Sequence, residues 1–313
     1  MSGFDIESST ARMVAGEAPW SNIGNPVIAR SVLRDFLSNQ GATAGLATLG
    51  IIMLLALFSP WLAPGDPQSI VGPERLWPGA NPDFLLGTDS LGRGVWAGLV
   101  HGARISLLIG VSATLLGLVF GGVIGAVAGY FGGWIDDLIV RFIEIFQTIP
   151  SFVLLVVLVA FATPTIGTVT VGIALVSWAM IARLTRAEFR SIRERDFVMA
   201  ARASGLSAPR IILQEILPNA LPSLIVVSSI MVASAILMES ALSFMGLSDP
   251  NTVTWGSMIG ASRDVIRSHW YLTLMPGGCI VLTVLALNLI GDGLNEALNP
   301  RIRRKPRLSA GAD

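Results

Sequence analysis

Few side chains in this 313-residue sequence have the type and spacing that chemistry needs. The two histidines, His101 and His269, stand far apart, and the single cysteine, Cys279, sits inside an apolar run. One cysteine excludes an intrachain disulfide and any multi-cysteine metal site. No Ser-His, Cys-His or metal-ligand constellation suggests an enzyme. A phosphate-binding loop needs a lysine directly after a glycine-rich turn. The only lysine is Lys305, in "RIRRKPRL", without a glycine beside it. A Walker-type ATP site is therefore excluded, so no cofactor is expected in this chain, and any ATP-driven activity requires another subunit. Two features remain. Glu239 follows 23 uncharged residues, and an acid at membrane depth either lines a path or satisfies a structural hydrogen bond. The polar stretch "DFVMAARASGLSAPRIILQEILPNALPS" (196–223) interrupts otherwise uncharged surroundings with charges, a glycine and three prolines.

These residues must be carried by membrane-spanning helices. The chain is 52% hydrophobic and only 13% charged, against about a quarter charged in soluble domains. Net charge is zero, which gives no bulk signal for nucleic acid. A helix needs about 20 apolar residues to cross a bilayer. Six spans are predicted, over 41–62, 105–130, 143–162, 166–182, 219–242 and 270–293. Residues 145–182 are uncharged for 38 positions, and "TPTIG" (163–167) divides them between spans three and four. "PGG" (276–278) predicts a kink in span six. The remainder is a polar tail over 1–40, a loop over 63–104, a polar loop over 183–218 and a basic tail over 297–313.

Basic residues set the orientation. Sixteen of the 21 Lys and Arg fall on the side of the two tails and the 183–218 loop. Both termini and that loop are expected in the cytoplasm, and the 63–104 loop outside.

Span two carries Gly117, Gly121, Gly125 and Gly129, a repeated GxxxG face that admits another helix at close range. That partner is either a helix of the same bundle or a second subunit. At the start of span three, Arg141 and Glu144 are spaced for an ion pair. Asp292 and Glu296 repel at the end of span six unless the basic tail balances them. The 183–218 loop is too long for a simple connection. Residues 187–204 read as one helix, Gly205 as its left-handed terminus, Ser207 as the next N-cap with Pro209 in the first turn, and 210–217 as a short helix stopped by Pro218. The product is a helix–glycine-turn–helix knob.

This stretch resembles the "EAA" loop of ATP-binding-cassette importer permeases, Glu-Ala-Ala-x3-Gly-x9-Ile-x-Leu-Pro. Ala200, Ala201, Gly205, Leu217 and Pro218 fall in register, while Met199 replaces the glutamate and Glu215 the isoleucine. "LGTDSLGRG" (86–94), with Gly94 for the usual aspartate, "GARISLLIG" (102–110), "AGYFGGWID" (128–136), "ILPN" (216–219), "ESALSFMGL" (239–247), "WGSMI" (255–259) and "LNLIGDGLNEALNPR" (287–301) extend the match in order. They narrow it to the "C" type permease of the dipeptide/oligopeptide/nickel branch. The resemblance implies the type I importer fold, all-α with six transmembrane helices, in the bacterial inner membrane. It implies a second homologous permease, two ATPase subunits that bind the ATP, and a solute-binding protein. Residues 196–209 would be the coupling helix, with Asp196, Met199, Ala200, Ala201, Arg202, Gly205 and Pro209 as the ATPase contact. Arg202 either pairs with an acid on the ATPase or stays solvated. "LGTDSLGRG" reads as an external turn or as a contact for the binding protein. The branch takes peptides, nickel chelates, glutathione, opines or oligosaccharides. A stand-alone secondary transporter is the alternative class, but it usually shows inverted repeats and several intramembrane charges.

Overall fold

The computed structural model describes residues 33–298. The tail up to residue 32 and the basic segment containing Lys305 lie outside the described residues, as does the balance expected between that segment and Asp292. Among the described residues the regular secondary structure is all helical, apart from one isolated bridge between Thr88 and Gly94 in the long loop over 63–94. In order it runs α1 (Gln40–Leu57), α2 (Ser59–Leu62), α3 (Val95–Phe131), α4 (Gly133–Gln147), α5 (Ser151–Ala160), α6 (Ile166–Arg193), α7 (Asp196–Ala203), α8 (Ala208–Phe244), α9 (Trp255–Ser262) and α10 (Tyr271–Leu298).

Five of these, α1, α3, α6, α8 and α10, are long and apolar enough to cross a membrane. The expected third span, 143–162, is instead two helices, α4 and α5, bent by 76°. Pro150 caps α5 and cannot continue α4, because it lacks the N–H that the preceding turn would bond. The first span ends at Leu57 rather than 62, because Pro60 starts a separate turn. Span two starts ten residues before 105: α3 is 37 residues long, ~55 Å at 1.5 Å per residue, and projects beyond a hydrocarbon layer of ~30 Å. Its early turns carry His101 and Arg104, which hid them from a hydropathy reading.

The glycine face of α3 is covered by α6 of the same chain. A Cβ on Gly121 would lie 2.4 Å from the Trp178 carbonyl oxygen, and one on Gly125 would lie 2.3 Å from that of Ala182. Gly129 meets the Arg186 carbonyl in the same way at 2.6 Å, and Gly117 meets Ile181 at 3.1 Å. Inside lipid no water is released when helices meet, so this close backbone approach, with its many dispersion contacts, holds the pair. α8 and α10 close the bundle, and Ala233, Ile236, Trp255, Tyr271 and Ile280 share its largest buried cluster.

Polar side chains tie the ends. Asn39 caps α1 and donates to Glu296 of α10 at 2.6 Å, so that acid is held by an amide. Arg141 and Glu144 form no ion pair. α4 is instead fixed through Asp136, which makes a two-pronged pair with Arg186 of α6.

Candidate functional site

The polar interruption folds as a compact knob where α6 enters α7 and α7 enters α8. One helix over 187–204 was predicted. The chain instead breaks at Glu194–Arg195, and residues up to Arg193 complete α6. The break has a packing cause. Ile192 precedes it and Val198 follows it, and both are buried with Phe189, Ile211, Ile216 and Tyr130 in one cluster. A straight helix would point them in different directions. Arg193 braces the corner by donating to the Tyr130 carbonyl at 3.0 Å and to Glu194 at 2.7 Å. The guanidinium of Arg193 holds the exposed Glu194 carboxyl below its usual range.

α7 has two faces. Val198 is fully buried and Ala201 half-buried. Asp196, Met199, Ala200 and Ala203 are exposed at i, i+3, i+4 and i+7, one outward stripe. Met199, at the position where the resemblance has glutamate, is 50% exposed on that stripe. Arg202 is exposed but not free: its guanidinium carbon lies 5.2 Å from the centre of the Tyr130 ring. It therefore clamps α7 onto the end of α3, a contact worth about 0.5–1 kcal/mol at an exposed site. Tyr130 lies in "AGYFGGWID", and the motif carried no sign of this partnership.

Gly205 ends α7. Its φ is +78°, its N–H bonds the Arg202 carbonyl at 2.9 Å, and the Leu206 N–H bonds that of Ala201 at 3.2 Å. That reciprocal pair is a Schellman motif, which fixes the direction in which the chain leaves the helix. Ser207 stands at the next N-cap without a side-chain bond, and the exposed Pro209 follows in the first turn.

Pro218 does not stop a short helix, as predicted. α8 runs unbroken through it to Phe244, with a π-helical turn over Ile211–Ile216. The Leu217 N–H bonds Ile212, five residues back. The wider turn makes room for the proline ring, which in a regular α-helix collides with the carbonyl four residues earlier. Asn219 Nδ2 donates to the Glu215 carbonyl at 2.6 Å. The second arm of the knob is thus continuous with a membrane-spanning helix, and the turn over 204–207 joins the first arm to it.

Glu239 lies far from the knob, 1% exposed. Its Oε1 accepts from Ser243 and from Thr254, each at 2.7 Å, while Oε2 has no partner. Thr254 is the N-cap of α9, in a capping box with Ser257. Glu239 therefore pins α9 to α8. "LGTDSLGRG" closes on itself: Asp89 Oδ1 accepts from the backbone N–H groups of Leu91 and Arg93, both at 2.8 Å.

Five apolar helices, a broken sixth element and one self-braced polar knob define the class, an all-α multi-pass membrane protein. Known proteins carry the assignment further. Residues 121–304 match the family described as binding-protein-dependent transport system inner membrane component, and residues 29–78 match the N-terminal transmembrane domain of oligopeptide transport permease C. The chain is 40% identical to the di/tripeptide transport system permease protein DppC of Pseudomonas aeruginosa, over 86% of this chain and 91% of that protein. It is 37% identical to the dipeptide transport system permease protein DppC of Bacillus subtilis, over 87% and 85%. The MetNI methionine ABC transporter in inward facing conformations shares the fold, with a TM-score of 0.54 at 20% identity over 64% of this chain and 96% of that one. The chain belongs to the binding-protein-dependent transport system inner membrane components, as a permease subunit of an ABC importer.

Proposed function

We propose that this permease moves di- and oligopeptides inward, driven by ATP hydrolysis in separate subunits that grip the knob. The observation that carries the reading is the outward stripe of α7, with Asp196, Met199, Ala200 and Ala203 exposed on a helix whose other face is locked to α3 and α8. Small side chains let a groove approach closely, and the Schellman turn at Gly205 with the continuous helix behind it makes the contact stiff. Two ATPase subunits are the proposed partners there, each receiving one such helix. The knob then faces the cytoplasm with both termini, as the distribution of basic residues supports. A binding protein delivers solute at the opposite end.

A second permease subunit is the proposed lateral partner. Exposed apolar side chains of α3 (Val119, Val123) and α8 (Leu221, Ile225) border a groove of about 540 Å³. Peptide as substrate rests on the relatives named above. Nickel chelates, glutathione, opines and oligosaccharides are competing cargoes for the same machine. Reconstitution tests the reading: with its ATPases, partner permease and binding protein in proteoliposomes, the chain should take up labelled dipeptide only when ATP is present. Uptake driven by an ion gradient without ATP would replace it with the secondary-transporter reading.

A further inference from the structure

The break between α4 and α5 interrupts a pair of helices that together are long and apolar enough to cross a membrane. α5 runs back along α6, where a Cβ on Gly172 would stand 3.0 Å from Leu155 and 3.5 Å from Val159. Beside the break stand Val176 and Met180 of α6, which at 1.5 Å per residue are ~15 and ~21 Å along that helix from Ile166. The break thus lies beside the second half of the predicted fourth span, 166–182. Irregular backbone survives there only if protein covers it or it lines a polar cavity. A cavity is present, about 370 Å³ in volume, lined by Phe146, Gln147, Ser151, Leu154, Met180 and Arg183 among others.

Arg183 is the distinguishing group. Arg186, three residues on, is engaged by Asp136, and Arg193 by Glu194 and the Tyr130 carbonyl. Arg183 is exposed and has no ion pair among the described residues. A guanidinium presents a planar fork of donors that fits a carboxylate with two parallel hydrogen bonds. Gln147 both donates and accepts, as a peptide amide requires, and Ser151 does the same through its hydroxyl. The rest of the lining, Phe146, Ile149, Leu154, Val176 and Met180, is apolar. The volume lies in the range of about 300–1,000 Å³ typical of small-molecule pockets.

We propose that this cavity is a substrate subsite on the translocation path, where Arg183 receives the C-terminal carboxylate of the peptide in transit. It rests on the peptide-importer reading and adds the chemical feature this chain itself selects. The competing role for Arg183 is an anchor at the lipid headgroups, which would be indifferent to the peptide's terminus.

The test uses the reconstituted complex with saturating binding protein and two labelled peptides, one with a free C-terminus and one amidated. Wild type is compared with R183Q and R183K, with basal ATPase activity and membrane yield as folding controls. R183Q should lower the maximal uptake of the free-acid peptide about tenfold, the effect of one lost charge-assisted hydrogen bond. Uptake of the amide should change less than twofold, and R183K, which keeps the charge but loses the two-pronged fork, should fall between wild type and R183Q for the free acid. Wild-type uptake with R183Q unchanged, or lowered equally for both peptides, overturns the subsite alone. Failure of the wild type to move either peptide overturns the peptide reading as well.

Discussion

Substituting Gly205 tests the stiffness of the knob with little interference from packing. A Cβ placed there meets nothing within 4 Å, so a side chain adds no clash. What it adds is the cost of φ +78° for an L-residue. That cost is about 1–2 kcal/mol for alanine and smaller for asparagine, which tolerates the left-handed region. A β-branched valine there approaches ~3 kcal/mol. Since 1.4 kcal/mol is tenfold in an equilibrium, alanine reduces the fraction of correctly directed turns about 5- to 30-fold wherever a competing geometry lies close in energy. A relaxed turn loses the Gly205–Arg202 and Leu206–Ala201 bonds and releases α7 from its fixed angle to α8. Peptide moved per ATP hydrolysed in proteoliposomes should fall in the order Gly205, Gly205→Asn, Gly205→Ala, Gly205→Val. Membrane yield should stay constant, because no span is touched. A Gly205→Val variant with the wild-type ratio of transport to hydrolysis would refute the reasoning.

Three further outcomes follow from the same structure. Gly125→Leu should separate α3 from α6, since even a Cβ lies 2.3 Å from the Ala182 carbonyl, and should sharply reduce the yield of folded protein in detergent; normal yield and melting temperature would contradict the packing. Glu239→Gln keeps an oxygen for Ser243 and Thr254 and should melt close to wild type, whereas Glu239→Leu leaves both hydroxyl hydrogens without an acceptor and should cost about 1–3 kcal/mol for each, read as a lower melting temperature. Arg202→Gln should weaken coupling mildly by removing a contact of about 0.5–1 kcal/mol with Tyr130, and Tyr130→Leu combined with it should add little; additive losses would show that Arg202 acts on the ATPase instead.

The long spans were legible because hydropathy reports burial in lipid one residue at a time. The glycine spacing of α3 was equally plain, and only the fold could show that α6 covers it. What escaped the sequence depended on contacts between distant segments. The corner at Glu194 exists because Ile192 and Val198 share one cluster, and helix propensity over 187–204 carries no trace of that. Pro218 reads locally as a stop, yet a π-turn over 211–216 accommodates it. The third span reads as a continuous apolar run, although Pro150 bends the chain there and opens a cavity. Gly205 was the most legible site residue, since its conformation is set by its own backbone. The partner of Arg202, a tyrosine 72 positions earlier, was not legible at all.

The central claim is that the outward face of α7 meets the ATPase, and site-directed cross-linking tests it most directly. With Cys279 replaced by serine, single cysteines at Met199, Ala200 and Ala203 would be compared with one at buried Val198 and one at exposed Trp77, which sits beside His269 at the opposite end. In the assembled complex, short bifunctional reagents should join positions 199, 200 and 203 to the ATPase subunit and leave 77 and 198 unjoined. No ATPase adduct from the outward stripe, or adducts formed from Trp77 instead, would contradict the account.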